Sequence, residues 1–361
     1  MSTTIASQTV GPPVGARIRL SSNESPFGPS PAAIAAAKEA LVEGNRYPDD
    51  QSTELRNALA EHEGCAFDEV GAANGSAALL MDLVPHLCGP GDEVLAFAHS
   101  FIVYRLGAKN AGASYVEVED GGPARGANSG YERDVDAMLA EVTDRTKLIL
   151  IDNPGNPTGV HLTRDELTTL VAGVPEHVTI VIDEAYHHFA TGQLGYATVK
   201  ELEVEHPRLL SLRTFSKVYG LAGMRIGYIV GPSDIVGPLD AYRPRFNVTA
   251  VSQAAAVASL GDTDHLQATV DGTLAGRDRM AAGLRELGVP FTDSLGNFLT
   301  VECGTAAAPI VDAYGQRGVG VRTLPPYGMD EQFRVSVGTP EETEEFLNVS
   351  ADVLADLPSR G

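Results

Sequence analysis

Apolar positions in the middle of the chain follow two rhythms. Short runs rich in valine, isoleucine and leucine occur at Glu93–Phe97, Tyr115–Val118, Lys147–Asp152, Thr179–Asp183, Arg208–Leu212 and Ile226–Val230. Several lack the alternation of a half-solvated strand, which predicts strands covered on both faces. Between them, helix-period segments fall at Ser76–Leu87, Val135–Glu141, Arg164–Ala172 and Val199–Glu205. Thr163-Arg164-Asp165-Glu166 reads as a helix start, with Thr163 accepting a backbone N–H and Glu166 reaching back. The rhythm predicts an α/β fold built on a doubly wound, mainly parallel sheet.

From about Ala250 the pattern changes. Alanine-rich helical segments, Val251–Leu260 and Leu266–Leu287, lead into Asn297–Val301, Gly318–Val321 and Arg334–Val337, and a helix over Glu341–Leu354 follows. This predicts a smaller α+β domain, against which the N-terminal arm and an amphipathic helix, Pro31–Glu43, can pack. The expected division is a large domain over 46–249 and a small one from 1–45 with 250–361. Gly121–Gly130 reads as a surface loop or turn.

Composition narrows the function. At 361 residues, the prior is about two domains of roughly 150 residues each. Lys+Arg 26 against Asp+Glu 48 gives a net charge of −22, so nucleic acid is not an expected partner; a local cationic pocket for a small anion stays open. No apolar run is long enough to span a membrane, and the first residues lack the basic start and apolar stretch of a secretory signal. Cys65, Cys88 and Cys303 suit neither a disulfide framework nor a zinc site, and His187-His188 has no carboxylate or cysteine at ligand spacing. No metal is expected. The reading is a cytoplasmic enzyme acting on small molecules.

The common nucleotide and hydrolase signatures (GxxxxGK[ST], GxSxG, HExxH) are missing. Three polar segments instead follow predicted strands, where open α/β sheets bind ligands. They are Asn153-Pro154-Gly155-Asn156-Pro157-Thr158-Gly159, then Asp183-Glu184-Ala185-Tyr186, then Arg213-Thr214-Phe215-Ser216-Lys217 with Leu221-Ala222-Gly223-Met224-Arg225. Each alone has an ordinary explanation: a turn, a helix cap, a solvated lysine. Their joint order at successive strand ends does not.

The combination resembles the pyridoxal-phosphate enzymes of the aspartate-aminotransferase fold, and within them the histidinol-phosphate and aromatic aminotransferase branch. The likeness runs from Leu20-Ser21-Ser22-Asn23-Glu24 to Phe333-Arg334-Val335-Ser336-Val337. It implies pyridoxal 5'-phosphate as cofactor, with Lys217 binding it covalently and shuttling a proton, and Asp183 keeping the ring nitrogen protonated. Asn156 and Tyr186 match the pair that donates to the ring's phenolate oxygen. Gly75, Ser76 and Ala77 would offer the phosphate a helix start, completed by Thr214, Ser216 and Arg225. Phe101 matches an aromatic stacked on the ring, with core packing as the alternative. Tyr47 matches a tyrosine that reaches the neighbouring subunit's phosphate, which implies a homodimer.

Arg334 matches the substrate carboxylate clamp. Arg322 is either a second cation near the substrate or a solvated arginine, and Asn23 and Asn297 line the cleft in this reading. The chain departs from the branch at Ala77-Ala78, where an acidic pair is common, and at Gly155 in NPGNPTG, where an asparagine is usual. It also lacks a tyrosine just upstream of the Asn23-Glu24 arm. The expected reaction is a ping-pong amino transfer between glutamate and imidazole-acetol phosphate. An aromatic 2-oxo acid is the alternative acceptor, and decarboxylation of a phosphorylated amino acid the alternative chemistry.

Overall fold

The computed structural model describes residues 16–122, 130–193 and 195–355. Among these, the strands are β1 (Ile18–Arg19), β2 (Val70–Ala73), β3 (Glu93–Phe97), β4 (Ser114–Val118), β5 (Thr146–Asp152), β6 (Thr179–Asp183), β7 (Leu209–Thr214), β8 (Gly227–Val230), β9 (Phe298–Glu302), β10 (Val319–Gly320), β11 (Arg322–Leu324) and β12 (Met329–Ser336). Seven form one sheet in the order β2-β8-β7-β6-β5-β3-β4, in which β8 alone runs against its neighbours.

Alternate residues of the central strands serve opposite faces. Leu148 and Leu150 of β5 pack with Leu79, Leu80 and Leu83 of the helix Ser76–Leu87. Ile149 and Ile151 pack on the other side with Leu167 and Leu170 of the helix Arg164–Gly173. Burial on both faces explains why these strands read as unbroken apolar runs. The chain moves outward from β3 to β4 and returns to pair β5 on the other side of β3. That reversal opens a crevice beyond the carboxyl ends of the strands.

β9, β11 and β12 form a second, antiparallel sheet, and β1 pairs with β10. Its apolar cluster includes Met280 and Leu284 of the helix Thr263–Glu286 and Phe346 of the helix Pro340–Val353, with Phe333 and Tyr314. The N-terminal segment joins this unit, because Leu20 donates to the Gly320 carbonyl and accepts from the Ser336 N–H. The helix Pro31–Leu41 packs instead on Ala250–Gly261, through Ala33, Ala37, Ala255 and Ala256. Among the described residues, no helix is long and apolar enough to cross a membrane.

The expected helix over Val199–Glu205 is a single 3-10 turn, Val199–Glu201, followed by irregular chain with a bend at Glu203. The reason lies in Glu201-Leu202-Glu203-Val204-Glu205, whose period of two lets Leu202 and Val204 reach the core on one side. The helix start at Thr163 has the expected reciprocal bonds, with Thr163 N–H donating to Glu166 at 2.7 Å. Of the Gly121–Gly130 loop, residues 123–129 lie outside the described residues.

Candidate active site

The ends of β5, β6 and β7, the arm at Ser22–Glu24 and the start of the helix Ser76–Leu87 enclose a cleft of about 340 Å³. Lys217, just past β7, projects into it. Its ammonium donates to the Asn23 carbonyl at 3.2 Å and lies 5.4 Å from the centre of the Tyr186 ring. Burial, with Arg334 nearby, lowers the Lys217 pKa to about 8. Asn23 (φ 52°) is a hub: its amide donates to the Tyr186 hydroxyl at 3.0 Å, its N–H to Ser336 Oγ at 2.7 Å, and its carbonyl accepts from Asn297 at 3.2 Å. The arm, β7 and β12 therefore converge on one residue.

Asp183 ends β6 and is buried. It accepts from the Tyr104 hydroxyl at 3.3 Å and from the Ala185 N–H at 3.2 Å. Desolvation, then the neighbouring Asp152 carboxylate, raise its pKa to about 7. The next residue, Glu184, serves the opposite side. It accepts from Ser211 and from Arg213 at 2.9 Å, and Arg213 also pairs with Glu63 at 2.6 Å.

Asp152 ends β5. Its carboxylate accepts from the backbone N–H groups of Phe101 and Asn156 and pairs with buried Arg133 at 2.6 Å. The Phe101 ring lies edge-on to Tyr104, with centroids 6.0 Å apart, and lines the cleft.

One end of the cleft is built for an anion. Gly75 (φ 96°) precedes the helix Ser76–Leu87 without a side-chain cap, so the first N–H groups of the helix face the cleft unpaired within it. Arg225 closes this end. A Cβ on Gly75 would lie 2.7 Å from its guanidinium, and a Cβ on Gly227 would overlap the Ser76 N–H. Ser216 and Ala77 also line this end, and Thr214 accepts from the Ser216 N–H at 3.1 Å.

On the other side, Arg334 of β12 is buried, donating to the Asn156 side-chain oxygen and to the Ser21 carbonyl at 3.2 Å; among the described residues its Nε has no partner. Arg322 of β11 is its register partner and donates to the same carbonyl at 3.1 Å. Burial and Arg334 lower the Arg322 pKa. Among the described residues, no carboxylate pairs with either guanidinium.

The structure thus brings together Asn23, Gly75, Ser76, Ala77, Phe101, Asn156, Asp183, Tyr186, Thr214, Ser216, Lys217, Arg225, Arg322 and Arg334. Tyr47 is apart from them: it is 82% exposed and stacked on Phe246 at 4.7 Å. Asp152, Arg133 and Tyr104 were not among the expected site residues. Asp152 carried a signal, as a carboxylate at the end of a buried apolar strand, whereas Arg133 reaches it from a remote segment.

The family model "Aminotransferase class I and II" matches residues 16–349. The chain is 38% identical to histidinol-phosphate aminotransferase 2 of Pseudomonas fluorescens, covering 94% of this chain and 89% of the relative. It is 39% identical to an aromatic amino acid aminotransferase of Rhodococcus jostii, covering 91% and 88%. Among solved structures, histidinol-phosphate aminotransferase from Sinorhizobium meliloti in complex with pyridoxal-5'-phosphate superposes with a TM-score of 0.83 at 26% identity, covering 95% of this chain and 92% of that one.

Proposed function

Because the chain belongs to the aminotransferase class I and II family, we propose that it transfers an amino group between glutamate and imidazole-acetol phosphate, as a histidinol-phosphate aminotransferase. It is a pyridoxal-phosphate-dependent enzyme with the aspartate-aminotransferase fold. The residues present fit the cofactor. Free helix N–H groups, Arg225 and two glycines that leave no room for a Cβ suit its phosphate. A buried carboxylate suits its ring nitrogen, and a buried amine its aldehyde.

When bound, the cofactor supplies an aldehyde for the amine and a ring that withdraws electrons from Cα. Lys217, with its lowered pKa, holds an appreciable uncharged fraction near neutral pH and can carry the Cα proton on Nζ. Asp183 offers the counter-charge that keeps a ring nitrogen protonated. Asn156 and Tyr186 donate to the ring oxygen, and Phe101 presents an aromatic face. Arg334 grips a carboxylate through two N–H groups and orients Cα.

The observation that carries the substrate reading is the Arg322–Arg334 pair, which has no carboxylate partner among the described residues. Two adjacent cations suit a site that takes a carboxylate in one half-reaction and a phosphate in the other. An aromatic 2-oxo acid is the second reading, favoured by the likeness to the Rhodococcus jostii enzyme. In the same proposal two copies form the active unit, with Tyr47 reaching the phosphate end of the neighbouring cleft; its exposure away from its own cleft supports this. The division into 46–249 and 1–45 with 250–361 also belongs to it, supported by the separate apolar clusters of the two sheets.

The test is a half-reaction panel. Protein loaded with cofactor is mixed separately with glutamate, histidinol phosphate and phenylalanine, and its visible absorbance is followed. Rapid loss with the first two and slow loss with phenylalanine is expected. Faster loss with phenylalanine than with histidinol phosphate would transfer the assignment to the aromatic reading.

A further inference from the structure

Asp152 presents one carboxylate to three groups. Its Oδ2 accepts from the Phe101 N–H at 3.1 Å and the Asn156 N–H at 2.8 Å, and its Oδ1 from Arg133 at 2.6 Å. Arg133 also donates to the Asp152 carbonyl and lies 5.2 Å from the centre of the Phe97 ring. Both charged side chains are buried: Asp152 is 2% exposed and Arg133 8%. Gly155 makes the space. A Cβ there would stand 2.5 Å from the Arg133 guanidinium, so the place of the buried arginine depends on a glycine at this position of NPGNPTG.

We propose that Asp152 is a positioning residue whose carboxylate locks Phe101 and Asn156 to each other across the floor of the cleft, with Arg133 anchoring that carboxylate. The inference rests on the cofactor-site reading of those two residues. Phe101 follows β3 and Asn156 follows β5, so they sit on separate loops. A single oxygen shared by their two N–H groups fixes the distance between those loops. A buried ion pair adds little net stability over an apolar pair of similar volume. What this one contributes is the shared acceptor. It also places a second negative charge beside Asp183.

Two double variants separate this role from a structural one. Asp152→Leu with Arg133→Leu removes the acceptor and both charges, whereas Asp152→Asn with Arg133→Leu removes the charges and keeps an acceptor oxygen. Each stripped protein is titrated with pyridoxal phosphate, its thermal midpoint is measured, and the visible circular dichroism of the bound form is recorded. Loss of the acceptor is expected to weaken cofactor binding about tenfold and to diminish the dichroism, with the asparagine form close to the parent.

Parental affinity and dichroism in a folded Asp152→Leu/Arg133→Leu protein would overturn the proposal. If that protein does not fold, Asp152→Ser with Arg133→Leu, whose hydroxyl is too short to reach both N–H groups, replaces it with the same two outcomes. The parent and Lys217→Ala are run alongside. A parent without a visible band that depends on Lys217 would defeat the cofactor-site reading itself. A parent with that band and an unaltered leucine variant would defeat only the role of Asp152.

Discussion

Arg322 and Arg334 stand opposite each other on antiparallel strands and share the Ser21 carbonyl, at 3.1 and 3.2 Å. Two like charges on facing strands repel, and the Ser21 carbonyl they share offsets part of that repulsion, so an anion between them relieves repulsion as well as gaining hydrogen bonds. Arg334→Ala should lower kcat/KM for glutamate about a hundredfold, while Arg322→Ala should leave glutamate nearly unchanged and cost histidinol phosphate about ten- to a hundredfold. Steady-state kinetics on both substrates check this. Equal losses on both for Arg322→Ala would contradict separate roles.

Lys217 carries a stability cost in the cofactor-free protein. Its pKa is about 8 in the fold against an ordinary 10.5, so the fold disfavours the charged form. The penalty is complete below about pH 8 and disappears as pH rises through 10.5. Stripped Lys217→Met protein should therefore melt above the parent at pH 7, with the advantage fading in alkali. Calorimetry across pH 7 to 10.5 measures it.

Asp183 shows the opposite sign along the pH axis. With its pKa raised to about 7 from 3.8, the buried carboxylate destabilises the cofactor-free fold fully above about pH 7 and not at all below 3.8. Stripped Asp183→Asn protein should gain stability over the parent as pH rises between those values. Loaded with cofactor, the same variant should lose amino transfer by about a thousandfold, because the amide supplies no counter-charge. Denaturant unfolding at several pH values, paired with single-turnover rates, tests both halves.

The anion end should tolerate no side chain at Gly75. Gly75→Ala places a Cβ 2.7 Å from the Arg225 guanidinium at a backbone φ of 96°. A strain of about 1–3 kcal/mol is expected, together with weaker cofactor binding. Equilibrium titration with pyridoxal phosphate would show parental affinity if the phosphate were held elsewhere.

Tyr47 makes a prediction about assembly. Tyr47→Ala and Lys217→Ala proteins, each impaired, should regain about a quarter of parental activity when mixed in equal amounts and refolded, since about half of the pairs would be mixed and one cleft in each mixed pair would be intact. No recovery would place Tyr47 outside the neighbouring cleft.

The strands that carry the site were legible because burial on both faces leaves apolar runs such as Thr179–Asp183 without interruption. The lysine and the two loop motifs were legible because each follows such a run, whereas Arg322 and Arg334 lie inside β11 and β12 and were legible only through the resemblance. β2 was not: Val70-Gly71-Ala72-Ala73 has one β-branched residue and no alternation, and its place at the sheet edge is decided by pairing with β8. The helices Thr53–Glu63 and Val103–Ala111 were missed as well, the second being short and interrupted by Gly107. Asp152 was legible as a strand end but not as an anchor, because Arg133 meets it only through tertiary packing.

Asp183 and Glu184 are neighbours in the chain with unrelated partners, one in the cleft and one in the Arg213–Glu63 network behind it. β6 is in this sense a strip printed on both sides. Inserting or deleting a single residue within it would turn the strip over, sending the longer carboxylate to the cleft and leaving Arg213 opposite the shorter one. A one-residue change of length in this strand would therefore break two separate charge networks at once.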